Sequence, residues 1–247
     1  MMTRILITAL ILIYSTISGF ADRPMIICDA DVVSHKHYEI EFGTQFDFLD
    51  RKYLPITAVN SIELTVNYGI IRNAELFFQV PAEIRFFSFS EHRTREFVYT
   101  DFSFGGKRVW RSDDNNVGVG IKGKYNYPYN KSIKNSCISL SIIYERHIGT
   151  ISGRSMIGTT LPVSSDEYAV IKGGIGAKTP ISESSFVTTE IYSKYPLTRE
   201  SSLVPVGIQI GGGYEISSGI IVDAGILAGL NRKLPLPGII LGSTVEL

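Results

Sequence analysis

Hydrophobic and polar residues alternate along most of this chain with a period of two. In Tyr38–Phe48 one face carries Tyr38, Ile40, Phe42, Thr44, Phe46 and Phe48, and the other Glu39, Glu41, Gly43, Gln45 and Asp47. A two-residue period makes a strand with one oily and one wet face. The pattern returns in 61–68, 75–86, 117–127, 138–146, 169–178, 185–195, 206–216, 220–230 and 238–247. Each segment is close to the roughly ten residues that a tilted strand needs to cross a bilayer. No sustained helical period interrupts them.

The connections sort into two kinds. Residues 70–73, 128–136, 179–184 and 217–219 are short or turn-like, whereas 49–57, 87–116, 147–165 and 196–202 are mostly longer and more polar. Short turns on one side and long loops on the other describe an outer-membrane barrel with its turns in the periplasm. Ten strands return the C-terminus to the side on which the first strand starts. Twelve are reached if 96–110 forms an extra hairpin with its neighbours. Aromatic residues collect near strand ends on the oily faces. The ten-strand count puts Tyr38, Tyr68, Tyr125, Tyr127 and Tyr214 at the periplasmic rim, and Phe48, Phe86, Tyr144 and Tyr195 at the outer rim. Such girdles seat amphipathic rings at membrane interfaces. A soluble β-sandwich also alternates, but it does not demand rimmed, nearly charge-free oily faces.

The N-terminus adds a compartment. Arg4 precedes a short apolar run, Ile5 to Tyr14, and small residues lead to Ala21. This predicts a secretory signal peptide over 1–21, cleaved before Asp22. A periplasmic lead-in over 22–36 and an outer-membrane barrel over 37–247 follow. The chain balances 24 basic against 24 acidic residues, which leaves no basic footprint for a nucleic-acid partner. Cys28 and Cys137, without C-x-x-C spacing, define neither a zinc site nor a disulfide framework, though one bridge between them is open.

Catalysis finds little support. A serine hydrolase needs a serine, a histidine base and a group orienting it. Ser139, Ser141 and Ser152 lie near His147 in sequence, but no G-x-S-x-G elbow occurs. The chain is therefore expected not to be an enzyme, and to need no metal and no cofactor. His35 and His37 read as a surface pair. The wet faces are more informative. They carry Glu39, Glu41, Asp47, Glu63, Glu75, Glu83 and Arg85 early in the chain, then Lys122, Lys124, Lys172, Lys178, Glu190 and Lys194. Folding about the turn near Ile181 is expected to bring Lys172 close to Glu190. Buried charges must be paired, so these residues either plug a lumen or line a selective polar path.

Several segments resemble a family of Gram-negative outer-membrane proteins described as phenol-degradation meta-pathway or transporter proteins. An early E-x-E-x-G strand (Glu39, Glu41, Gly43) is similar to its opening. The run from Asn116 to Tyr125, with Lys122 and Lys124, looks like its G-x-K-Y strand. Gly212-Gly213-Tyr214 followed by Asp223-Ala224-Gly225 is similar to its penultimate hairpin. The chain departs in carrying Asn115-Asn116 where a Gly-Asp pair is expected, and in ending on Leu247 rather than an aromatic. The resemblance implies a barrel passing small, hydrophobic or aromatic compounds, and implies no catalytic residue.

The expectation is an all-β, up-and-down antiparallel transmembrane barrel, monomeric and in contact with outer-membrane lipid. It admits small solutes through a narrow lumen walled by Glu39, Glu41, Glu63, Glu83, Arg85, Lys122, Lys124, Lys172 and Glu190. The alternatives are a closed structural or adhesive barrel working through its long loops, and a lipid-directed enzyme built around His147.

Overall fold

A computed structural model describes residues 28–48, 56–89, 92–99, 102–112, 117–128, 136–163, 168–197, 204–230 and 237–247. The proposed signal peptide lies outside them. The described chain forms β1 (Tyr38–Phe48), β2 (Ile56–Ile71), β3 (Ala74–Phe89), β4 (His92–Tyr99), β5 (Phe102–Arg111), β6 (Val117–Tyr127) and β7 (Cys137–Ile148). It continues through β8 (Ile151–Pro162), β9 (Val170–Pro180), β10 (Ser185–Pro196), β11 (Val206–Ser217), β12 (Ile220–Gly229) and β13 (Gly238–Glu246).

Every strand runs antiparallel to its neighbours, and β1 pairs with both β2 and β13, so the sheet closes on itself. Strands β4 and β5 pair with successive stretches of the same partner, Ala82–Phe89 and Ala74–Gln79 of β3. They therefore make one interrupted stave, and the barrel has 12 staves.

Ten staves follow the periodic segments of the sequence, and two more bring the count to the twelve left open there. Residues 87–116 and 147–165, expected as extracellular loops, supply the β4–β5 stave and β8. The extra stave in the first region is one strand with a break, and both of its parts pair with the neighbouring β3. Its pattern is blurred because Gly105-Gly106 and Lys107-Arg108 interrupt the alternation. In β8 the outward positions include Gly153, Ser155 and Thr159, and Met156 points inward, so neither face looks oily. The connection from β7 to β8 is the two-residue turn Gly149-Thr150, with Gly149 at φ 61°. That left-handed conformation is the one hairpin turns require and glycine supplies.

The two additional staves also reverse the parity between them. The start of β1, the end of β13, the β5 and β6 ends at Arg111 and Val117, and the connections 72–73, 149–150, 181–184 and 218–219 lie at one end, the turn end; the opposite strand ends, Tyr127 and Cys137 among them, lie at the loop end. Tyr38, Tyr68 and Tyr214 sit toward the turn end, and Phe48, Phe86 and Tyr195 toward the loop end, as the alternation placed them. Tyr125 and Tyr127 belong to the loop end and Tyr144 to the turn-end half, the reverse of the ten-strand expectation. The Tyr38 and Tyr68 rings pack 4.6 Å apart, and Tyr125 lies 5.4 Å from Phe104.

Burial is inverted relative to a soluble protein. Phe42 is 46% exposed, Ile142 55% and Ile226 62%, while Glu145, Glu190 and Arg154 are 0%, 2% and 4% exposed. A sandwich would hide those side chains and show these. Only a solvent of hydrocarbon around the wall makes this arrangement favourable, which excludes the soluble alternative.

Candidate functional site: the lumen and its internal segment

Inside the ring, the wall does not face empty space. The described part of the proposed lead-in enters the barrel from the turn end. Asp29 and Ala30 are 1% and 0% exposed, so this part of the lead-in is lodged within the ring. Ala30 packs on an apolar patch of the inner wall formed by Val109 of β5, Ile143 of β7 and Met156 of β8, with Cys28 and Val32 alongside. Other apolar side chains also point inward, Phe77, Phe186 and Ile221 among them, but these three lie under the segment, which covers them.

Charged wall residues then hold the segment's polar atoms. Lys107 Nζ lies 3.5 Å from Asp29 Oδ1 and 3.2 Å from Glu75 Oε1, and Arg154 Nη2 lies 3.4 Å from Asp29 Oδ2. The main-chain amides of Ala30 and Val33 donate to Glu145 Oε2 and Glu75 Oε2, each at 2.8 Å. Arg111 donates to the Ala30 carbonyl at 2.9 Å and pairs with Asp31. Buried charges persist only when paired and hydrogen-bonded. Here the wall pairs partly with itself, Lys107 with Glu75 and Arg154 with Glu145, and the internal segment completes the network through Asp29.

The chain leaves the lumen through a sharp reversal. Lys36 takes φ 69°, and its amide donates to the Gly69 carbonyl on β2. A Cβ on Gly69 would stand 2.1 Å from the Ser34 oxygen and 2.5 Å from the Val33 oxygen. Gly69→Ala should therefore push the segment off the wall. We expect Cys28 of that variant to react with a water-soluble maleimide several-fold faster than in the parent. An unchanged rate would show that Gly69 does not hold the segment in place.

Between the segment and the wall lies a cavity of about 530 Å³. Of the sequence-predicted residues, Glu39, Glu41, Glu63, Lys122, Lys124 and Lys172 line it. The acids sit on β1 and β2 and the lysines on β6 and β9, well separated around the ring. Amides bind the acidic wall together: Asn67 donates to Glu41 at 2.7 Å and to Glu39 at 3.0 Å. Gln79 bridges the walls, donating to Glu63 at 3.5 Å while its oxygen accepts from Lys124 at 3.2 Å. Lys122 Nζ lies 3.4 Å from Cys28 Sγ and 4.8 Å from the Phe77 ring centroid. The two thiols do not form the bridge left open by the sequence.

Three predicted residues stand apart. Glu83 and Arg85 pair with each other at 2.8 Å, so together they offer the lumen little net charge. Glu190 is buried against the wall, opposite Gly176 on β9 and Gln209 on β11. The expected approach of Lys172 to Glu190 does not occur, because the turn over 181–184 sets a register in which Lys172 faces Lys194. Asp29, Lys107, Glu145 and Arg154 were missed as a cluster. Lys107 and Arg154 lie in segments expected as loops, Glu145 sits on a cleanly alternating strand whose partner segment was not recognised, and nothing local marks Asp29 as internal.

The His147 neighbourhood is assembled, but in the wrong order for hydrolysis. His147 Nε2 lies 3.5 Å from Glu145 Oε1, and the Ser152 hydroxyl donates to that same oxygen. A nucleophile requires its hydroxyl on the imidazole, with the carboxylate behind. Here the carboxylate takes the hydroxyl proton's bond directly and is committed to Arg154, 3.3 Å away.

A closed, hydrocarbon-faced antiparallel barrel with charge inside defines a transmembrane β-barrel of the outer-membrane class. No protein-family model and no curated protein matches the sequence. Among solved structures, the chain is similar to an outer membrane channel from Pseudomonas putida F1, with TM-score 0.71 at 10% identity over 89% of this chain and 98% of that one. It also resembles the KdgM porin in complex with disordered oligogalacturonate (TM-score 0.59, 7% identity, 84% of this chain and 98% of that one). The translocator domain of autotransporter NalP from Neisseria meningitidis gives 0.53 at 9% identity, over 87% and 90%. At such identities the likeness carries the fold.

Proposed function

We propose that this protein is a monomeric channel in the outer membrane of a Gram-negative bacterium, admitting small solutes along a narrow polar lumen. The observation that carries the proposal is the 530 Å³ cavity inside the closed ring, with Glu39, Glu41 and Glu63 on one wall and Lys122, Lys124 and Lys172 on another. A wall built only to be filled has no need of such a space, and separated acids and bases make a transverse field that orients a passing dipole. The resemblance to the meta-pathway transporter family supports small hydrophobic or aromatic compounds as the solutes. The fold likeness to the Pseudomonas channel agrees with transport. Export by a signal peptide over 1–21 belongs to the same proposal.

Single-channel recording of the refolded chain in a planar bilayer tests it, with heat-modifiable gel mobility reporting assembly. Ion flow is expected, and replacing both Lys122 and Lys124 by Glu should move the reversal potential toward cation selectivity. An unmoved potential in a conducting protein would remove those lysines from the path. The anchored segment favours a second proposal, a closed structural barrel. An assembled barrel that stays silent even without residues 22–34 would decide for that alternative.

A further inference from the structure

The lysines of the basic wall are set against one another. The β9–β10 register places Lys172 directly across from Lys194, and the β5–β6 register places Lys107 across from Lys122. Like charges at directly opposed positions destabilise a sheet. Most of these lysines have compensation in reach. Lys107 holds Asp29 and Glu75, Lys124 faces Glu63, and Lys194 faces Asp47. Lys172 differs: the groups bearing on it are Cys28, Lys124, Lys122 and Lys194. Among the described residues, no carboxylate forms an ion pair with it.

The surroundings of Lys172 suit an anion. Buried Ser139 and Ser141 of β7 stand level with Lys124 and Lys122 in the β6–β7 register. Gly158 of β8 lies between Ser141 and Lys172. A Cβ at Gly158 would stand 2.3 Å from the Ser141 hydroxyl oxygen, so glycine there keeps the floor between hydroxyl and ammonium open. Lys122, Lys124, Lys172, Ser139 and Ser141 all line the one cavity.

We infer that Lys172, with Lys122, Lys124 and the two serine hydroxyls, binds a small monocarboxylate as it passes the lumen. Ammonium and hydroxyl groups donate charge-assisted hydrogen bonds to carboxylate oxygens, and the bound anion supplies Lys172 with the negative partner that Lys194 already has in Asp47. The facing acids Glu39, Glu41 and Glu63 act against multiply charged anions, which selects one negative charge over two or three. The inference deepens the channel proposal, since it names the class of solute and where the solute pauses.

Chloride-35 line broadening on the refolded chain in a zwitterionic detergent tests the site without requiring conductance. Chloride should be broadened, and sodium acetate should reverse the broadening at lower concentration than inorganic phosphate. Lys172→Met should weaken the binding roughly tenfold, the scale of one lost charge-assisted hydrogen bond. Lys172→Arg should retain most of it. Because Lys172→Met also removes a repelling charge, assembly should not suffer, and heat-modifiable mobility checks this. Broadening that persists in Lys172→Met, or that phosphate reverses as readily as acetate, overturns the inference. Broadening and acetate reversal in a protein that never conducts would keep the site and end the channel proposal. Conductance with no acetate-sensitive broadening would do the opposite.

Discussion

Deleting residues 22–34 should raise single-channel conductance several-fold while leaving an assembled barrel. The deletion takes out the described stretch from Cys28 to Ser34, including Asp29 and Ala30, both buried inside the ring. A 12-stave wall falls between small barrels that side chains fill and large ones that enclose an aqueous channel. Whether such a wall conducts then depends on what else occupies it, and here a chain segment does. The deletion also strips partners from Lys107, Arg154, Glu145 and Glu75, so the new space is lined by charge and fills with water. Unchanged conductance in a barrel that still shows heat-modifiable mobility would mean that the segment does not obstruct the ion path.

Arg154→Met should destabilise the barrel by about 3–5 kcal/mol, the range for removing one partner from a buried ionic network. Arg154 contacts Asp29 and Glu145 at 3.4 and 3.3 Å from a position only 4% exposed. Its loss leaves Glu145 with Ser152, the Ala30 amide and the more distant His147, and takes from Asp29 its Arg154 partner while Lys107 and the Asp31 amide stay. The midpoint of urea-induced loss of the heat-modifiable form measures the effect. Replacing the triad together, Asp29→Ala, Glu145→Leu and Arg154→Met, should recover much of it, because fully removing a buried ionic cluster costs less than breaking one. A single variant that shifts stability by under about 1 kcal/mol, the level of exposed pairs, would place the cluster in effective contact with water.

Much of the wall was legible because lipid enforces a simple rule. Where a strand's outward face is uniformly apolar, as at Leu140 and Ile142, or Val222 and Ile226, period two is plain. The rule weakens where the outward face is small or hydroxylic, as at Gly153, Ser155 and Thr159 of β8. It weakens too where a charge sits outward beside an aromatic, as Arg108 does 5.1 Å from the Trp110 ring centroid. The Gly149-Thr150 turn was the available signal for β8, since a glycine between two apolar runs marks a hairpin. The lumen was legible as a set of inward charges but not as pairs. Pairing follows register and the internal segment, and a one-residue change in a turn moves every partner. Lys172 meets Lys194 instead of Glu190, four residues away, because the hairpin is centred at 183 and not at the expected 181. The lodging of Asp29 between β5 and β8 left no local trace, because its partners are some eighty to a hundred and twenty-five positions away in the chain.

The anchoring of the internal segment has a consequence for how any opening would look in time. Its holds come from β3, β5, β7 and β8, and include two main-chain amides, a carbonyl, a shared carboxylate and an apolar contact. Releasing one hold leaves a buried charge or amide without its partner while the others still pin the chain, so partial detachment is the least favourable arrangement. The segment would therefore let go and return as a unit. Current through this barrel would flicker between two levels rather than drift through a continuum, with dwell times set by the whole cluster.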